Sequence, residues 1–218
     1  IKNIIFFGSN CMYPELCPQP IKEKYLLSGK LEKNISYYAM AKISSLKLCE
    51  AFNKQYKTRY KVIIPPNLLG YNDNFDLQTA HVVPALLNKF HNAKIKGLKS
   101  VNVWGNGKQT REFLYVGDLT NFVIFLIKNW YRSDKFFVKK TFINVGTGVE
   151  TSIKELSMKI VDLIKYSGKI IFDKKNPAGT PRKVLDISLV KKFGWKPNYS
   201  LERALSKTYK KKFIDINN

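Results

Sequence analysis

Three short apolar runs, each stopped by a residue that breaks a strand, limit what this chain can fold into. Ile4-Ile-Phe-Phe7 ends at Gly8, Tyr60-Lys-Val-Ile-Ile64 ends at Pro65-Pro66, and Thr141-Phe-Ile-Asn-Val145 ends at Gly146. Consecutive apolar residues over so few positions suit strands covered on both faces, the pattern of a parallel sheet between helices. Helical segments separate the runs: Tyr38 to about Tyr56, with apolar positions at Ala41, Leu46, Leu48, Cys49 and Phe52, then Val82 to about Lys94, and Asp118 to about Trp130. Ser152 and Glu155 form a capping box for a helix to about Tyr166, and Ser200 caps a last one to about Phe213. Val101–Trp104, Glu112–Val116 and Lys169–Phe172 read as further extended pieces. Residues 13–35, with three prolines, are expected to form a long loop over the site, 67–80 a second loop, and 131–140 a charged surface connection. Strands alternating with helices predict an α/β fold with a parallel sheet.

The bulk properties exclude several classes. The 218 residues suffice for one substantial core or two small ones. No apolar run reaches the roughly 18 residues that span a bilayer, so no membrane partner is expected. The chain opens on Ile1 and enters a strand at once, without a charged and then apolar leader, and a preceding segment is expected. Cys11, Cys17 and Cys49 are odd in number and lack metal-ligand spacing, which favours a reduced, cytoplasmic setting and no metal. The formal charge of +22 raises the question of nucleic acid. Of the 38 basic residues, however, 33 are scattered Lys and only five are Arg, the residue on which base reading leans. A solvated basic surface is the expectation, with no nucleic-acid partner.

The chemistry begins with Tyr38 and Lys42 in Ser36-Tyr-Tyr-Ala-Met-Ala-Lys42, four residues apart and therefore on one helix face. A cation held near a phenol favours its ionised form. Ser9, at the end of the first apolar run, can hydrogen-bond the same reacting oxygen. Together the three are parts for moving a proton to or from a carbonyl beside a hydride donor. No Gly-x-x-Gly-x-x-Gly turn for a dinucleotide occurs in these 218 residues.

Ser9, Tyr38 and Lys42 resemble the catalytic group of the short-chain dehydrogenase/reductase family. Longer motifs extend the likeness: Phe6-Phe-Gly-Ser-Asn-Cys-Met-Tyr-Pro14, Lys47-Leu-Cys-Glu50, Asp73-Asn-Phe75, His81-Val-Val-Pro-Ala-Leu86, Trp104-Gly-Asn-Gly107, Arg111-Glu-Phe-Leu114, Asn144-Val-Gly-Thr-Gly148 and Gly179-Thr-Pro-Arg-Lys183. In this order, from Ile4 to about Tyr209, the chain is similar to the GDP-L-fucose synthase branch of the extended short-chain family.

The resemblance implies a doubly wound parallel-sheet (Rossmann-type) domain lacking its N-terminal strands, with a smaller α/β substrate-binding domain. Residues 1–65 would hold the catalytic half of the dinucleotide domain and 66–218 mostly the substrate domain, with about 108–145 returning to the sheet. It implies 3,5-epimerisation of GDP-4-keto-6-deoxy-D-mannose and then reduction at C4 by NADPH, in a homodimer pairing through helices that include the one from Tyr38. Cys11 would be the base and His81 the acid of epimerisation. Tyr38 would donate the proton in reduction, with Lys42 holding the phenol and the nicotinamide ribose and Ser9 orienting the keto oxygen. Gly8, Pro65, Asn67, Leu68 and His81 would line the cofactor, and Lys89, Trp104 and Arg111 the GDP-sugar. Three positions depart from the family's pattern: Lys89 replaces an Arg, Ala178 an Asp that faces substrate, and Asn10 a Ser. Two other readings are a related nucleotide-sugar epimerase or dehydratase, against which Cys11 and His81 argue, and a non-catalytic binding module.

Overall fold

The computed structural model describes residues 1–137, 141–173 and 179–215. In chain order the regular elements are β1 (Asn3–Phe7), α1 (Ser36–Tyr56), β2 (Arg59–Ile64), β3 (Asn67–Leu69), α2 (Val82–Ile95), β4 (Ser100–Trp104), β5 (Thr110–Arg111), β6 (Phe113–Tyr115), α3 (Val116–Lys128) and α4 (Trp130–Phe137). They continue as β7 (Phe142–Asn144), β8 (Thr151–Ser152), α5 (Ile153–Ile164), β9 (Lys169–Asp173), β10 (Arg182–Lys183), α6 (Ser188–Phe193) and α7 (Leu201–Tyr209).

The three apolar runs become one parallel sheet in the order β1-β2-β7, with Phe6 opposite Val62 and Val62 opposite Phe142. Val62, Ile63 and Ile64 are fully buried, as a central strand between helical layers requires. Ile43 and Leu46 of α1, Leu119 and Phe122 of α3, and Val190 and Phe193 of α6 pack into this core. A second core joins α2, α5 and α7 to the parallel pair β4-β9 through Leu87, Phe90, Leu156, Ile160 and Leu205. The chain reaches the first core in three passes, since residues from 114–145 and 185–195 contribute to it as well as the first 64.

Several elements differ from the sequence expectation. Asn67–Leu69 is a strand paired with β6, not loop, because backbone from 113–115 lies beside it. Residues 130–137 are helix, not surface connection, and the cause lies in β2. Lys61 is buried there, its side chain 2% exposed, and an ammonium in an apolar layer requires partners. One turn of α4 supplies them: Nζ donates to Trp130 O at 2.6 Å and to Ser133 Oγ, pairs with Asp134 Oδ1 at 2.8 Å, and sits 4.0 Å from the Trp130 ring centroid. Burial still pulls the Lys61 pKa down, with Asp134 opposing. On α1 the buried positions are Ala39, Ile43, Leu46 and Cys49, whereas Ala41, Leu48 and Phe52 are exposed.

The 13–35 segment is not loop throughout. Two short turns interrupt it, Glu23–Tyr25 and Lys33–Ile35, and it is pinned beside β7. The buried Asn144 amide accepts from Tyr13 Oη at 2.6 Å and donates to Ile21 O at 2.9 Å, while Ile21 bridges Leu185.

The capping box of α5 forms as expected: Ser152 Oγ accepts from Glu155 N at 3.1 Å, and Glu155 Oε2 from Ser152 N at 2.8 Å. Ser200 caps α7, which widens after Tyr209 into a π turn over Lys210–Ile214. That turn brings Phe213 to 4.3 Å from the His91 ring centroid, while the Tyr209 hydroxyl and His91 Nδ1 share a 3.0 Å hydrogen bond. Burial first, and Lys94 second, lower the His91 pKa. The fold therefore prefers the neutral ring. This contribution is complete above the unfolded value of about 6.5 and is lost as pH falls below it towards the folded value. Between pH 7.5 and 5, wild type is expected to lose more stability than His91→Phe, measured by urea unfolding at each pH.

Candidate functional site

The end of β1 sets the first group of residues. Gly8 N donates to Ile63 O at 2.9 Å and Asn10 N to Pro65 O at 3.2 Å, so pairing with β2 holds the backbone beyond the last strand residue. A Cβ on Gly8 would stand 2.9 Å from Met12 Sδ and 3.1 Å from Ile64 Cγ1, so any larger residue here would have to push these two side chains aside. Ser9 then caps a 3₁₀ turn over Asn10–Met12, its Oγ accepting from Cys11 N at 3.3 Å. This bond leaves the hydroxyl proton available to an oxygen in the cleft. Cys11 Sγ donates to Asn10 Oδ1 at 3.8 Å.

The start of α1 crosses this turn. Lys42 Nζ donates to Phe7 O at 2.9 Å and stands 5.7 Å from the Tyr38 ring centroid. The ammonium is thus anchored first on the strand carbonyl and only second near the phenol, a geometry that helix spacing alone does not reveal. Pro65, Asn67 and Leu68 follow β2 into the same cleft, and His81, the residue before α2, lines it as well. Its imidazole makes no capping hydrogen bond, so the ring is not committed to the helix end. Gly8, Ser9, Cys11, Tyr38, Lys42, Pro65, Asn67, Leu68 and His81 all line one open cleft of about 940 Å³. Asn10 and Asp73 line it too, although neither was singled out in the sequence as a site residue.

Lys89, Trp104 and Arg111 line a second, smaller cleft of about 240 Å³. Its wall contains Val82, the residue after His81, so the start of α2 borders both clefts. Lys89 Nζ donates to Asn102 O at 3.3 Å and lies 5.3 Å from the Trp104 ring centroid, and burial lowers its pKa. Burial also lowers the pKa of Arg111, while Glu32 and Cys11 act against it. Burial alone would raise the Glu32 carboxyl, yet Lys183 at 3.1 Å and the Thr180 hydroxyl at 3.0 Å hold it below its ordinary value. No signal in the sequence pairs Glu32 with Lys183, which lie far apart along the chain. Ala178 lies outside the described residues. Among the described residues no group of His, Cys, Asp and Glu has metal-site geometry, and no helix is long and apolar enough to cross a membrane.

A parallel sheet with helices against it, and a residue-rich cleft at its strand ends, is the plan of Rossmann-type nucleotide enzymes. Residues 1–146 match the NAD dependent epimerase/dehydratase family, and the chain belongs to that family. It is 43% identical over 209 residues to a GDP-L-fucose synthase of Sinorhizobium fredii, covering 96% of this chain and 64% of that protein. With the GDP-L-fucose synthase of Escherichia coli it shares 41% identity over 213 residues, 96% of this chain and 66% of that one. The chain therefore spans somewhat less than two thirds of the length of these relatives. Among solved structures it superposes on a GDP-6-OMe-4-keto-L-xylo-heptose reductase from C. jejuni with a TM-score of 0.89 and 33% identity, over 96% of this chain and 70% of that one. An NADP-bound GDP-mannoheptose C4 reductase from Campylobacter jejuni gives a TM-score of 0.84 and 33% identity, over 96% and 69%.

Proposed function

We propose that this chain carries the catalytic and substrate-binding parts of an NADPH-dependent enzyme that converts GDP-4-keto-6-deoxy-D-mannose to GDP-L-fucose. The observation that carries the reading is the convergence of Ser9, Cys11, Tyr38, Lys42 and His81 on one cleft beside a second holding Trp104, Lys89 and Arg111. The named relatives support it.

A 4-keto group acidifies the C–H bonds at C3 and C5, so one base and one acid across the ring suffice to invert both centres. Cys11 takes the proton on one face, and His81 returns one on the other. Reduction at C4 then needs a proton for the former keto oxygen. Tyr38 supplies it, with Ser9 holding that oxygen and Lys42, fixed on Phe7 O, placing its charge beside the phenol. The main cleft fits a nicotinamide riboside: Pro65, Leu68 and Leu119 give a flat ring apolar walls, and Lys42 offers a donor to ribose hydroxyls. NADPH, when bound, supplies the hydride at C4. In the second cleft Trp104 gives a base a stacking face, and Lys89 and Arg111 give a diphosphate its countercharge.

Residues 1–65 with the returning segments form the dinucleotide part in this reading, and the second core forms the substrate part. The protein is cytoplasmic and pairs with a second copy through α1, whose exposed Tyr37, Met40, Leu48 and Phe52 suit a helix-to-helix contact. The test supplies GDP-4-keto-6-deoxy-D-mannose and NADPH to the protein containing this chain and identifies the product by NMR. GDP-L-fucose supports the reading. A 4-reduced sugar with unchanged C3 and C5 would make it a plain ketoreductase and remove the epimerase half.

A further inference from the structure

The turn between β4 and β5 brings three side chains to the second cleft: Trp104, which ends β4, Gln109, which stands just before β5, and Arg111 within it. Gln109 is 8% exposed, and its backbone is clamped on both sides. Its O accepts from Ile153 N at 2.9 Å, at the start of α5, and the next residue, Thr110, donates its N–H to Pro181 O at 2.9 Å. A relay of hydrogen bonds then fixes which way the carboxamide faces. Lys108 N donates to Asn106 Oδ1 at 2.9 Å, so that end of the Asn106 amide is the oxygen. The end of Gln109 that meets this oxygen at 3.0 Å must be Nε2. Oε1 is therefore the free end. Among the described residues Thr208 Oγ1 is the one buried side-chain polar atom without a partner, so Gln109 Oε1 is not sealed in the interior. It is open to the cleft that Gln109 lines.

We propose that Gln109 is a specificity-determining residue for the ribose of the nucleoside diphosphate, its Oε1 accepting a hydrogen bond from the 2′- or 3′-hydroxyl. The inference rests on the second cleft as the nucleotide site. In a nucleoside diphosphate the ribose lies between the base and the diphosphate, and in that cleft Trp104 faces the first and Arg111 the second. Trp, Lys and Arg side chains only donate. A ribose hydroxyl has a proton to place as well as lone pairs to fill, and Trp104, Lys89 and Arg111 cannot take that proton. Gln109 Oε1 can. The Asn106 relay holds it ready, so the amide need not turn when the nucleotide arrives.

Calorimetric titration of the protein containing this chain with GDP, 2′-deoxy-GDP and 3′-deoxy-GDP tests it. Wild type is expected to bind GDP about three- to tenfold more tightly than the analogue lacking the hydroxyl that Gln109 reads, the usual range for one neutral hydrogen bond. In Gln109→Leu the affinity for GDP should fall to that of this analogue, whose own affinity stays unchanged. Equal binding of all three ligands by wild type would overturn the proposal, and that arm needs no variant to fold. So would an equal loss for all three in Gln109→Leu, which signals a structural role, or a variant that keeps the wild-type preference. Absence of any GDP binding by wild type would remove the nucleotide reading of the cleft, and this inference with it, so the two failures are told apart.

Discussion

Cys11→Ser is expected to slow solvent-deuterium exchange into C3 and C5 of the keto sugar by about 10²–10⁴-fold, the usual contribution of a positioned acid or base. Hydride transfer to a sugar already inverted at both centres should change only a few-fold. Tyr38→Phe should do the reverse, leaving exchange near wild type and cutting C4 reduction by a similar factor. The separation follows from geometry. Cys11 sits on the turn after β1, while Tyr38 enters from α1, and the hydrogen bonds of each to its own element do not involve the other. Ser retains the size of Cys but exchanges a thiolate former for a hydroxyl that ionises far less readily. Phe retains the Tyr38 ring, and with it the ring's place 5.7 Å from Lys42 Nζ, and removes only the hydroxyl that carries the proton. Mass spectrometry of sugar recovered from D₂O reads the first step, and NADPH absorbance the second. Unchanged exchange in Cys11→Ser would remove Cys11 from the chemistry.

What the sequence made legible has a common physical form. The sheet strands could be read because their signals are local: an apolar run and its Gly or Pro stop are adjacent. The Ser9, Cys11 and Tyr38-to-Lys42 group was legible for the same reason, since turn and helix motifs carry it. Contacts between distant segments were not. Nothing within 130–137 announces a helix as plainly as Lys61 does, and Lys61 lies on another element. β3, β5, β8 and β10 have two or three residues each, too few to show a period, and pairing partners far along the chain create them. On α1 apolar residues occur all round, so periodicity could not decide which face is inward, and Leu48 at 60% and Phe52 at 41% exposure point outward. Lys42 was placed correctly on the Tyr38 face, but its bond to Phe7 O depends on how α1 crosses the end of β1.

Glu112→Ala is expected to destabilise the fold by about 3–5 kcal/mol, the largest stability effect of any single side-chain truncation near the site. Glu112 is 1% exposed and joins three segments. Its Oε1 accepts from Thr147 N at 2.5 Å and Gly148 N at 2.8 Å, and its Oε2 from Leu185 N at 2.8 Å. Truncation leaves the buried Leu185 N–H and the partly buried Thr147 and Gly148 N–H groups without their acceptor, at about 1–3 kcal/mol for each group kept from water. No side chain can follow Glu112 into place from Gly146, where a Cβ would fall 2.1 Å from Oε1. Gly146→Ala should therefore be destabilising as well. Glu112→Gln keeps one acceptor and points an NH₂ at a donor, so it should cost less, about 1–3 kcal/mol. The pH dependence has a definite sign. Burial raises the Glu112 pKa, and the hydrogen bonds from Leu185, Gly148 and Thr147 only partly offset it. The folded state thus holds the proton more tightly than the unfolded chain does. This stabilising contribution is complete below the unfolded value of about 4.3 and is lost as pH rises through the folded one. Gln has no such titration, so the gap between wild type and Glu112→Gln should narrow from pH 4.5 to 7.5. Denaturant unfolding at the two pH values measures it, and a gap that widens would mean that the ionised carboxylate is the form the fold prefers.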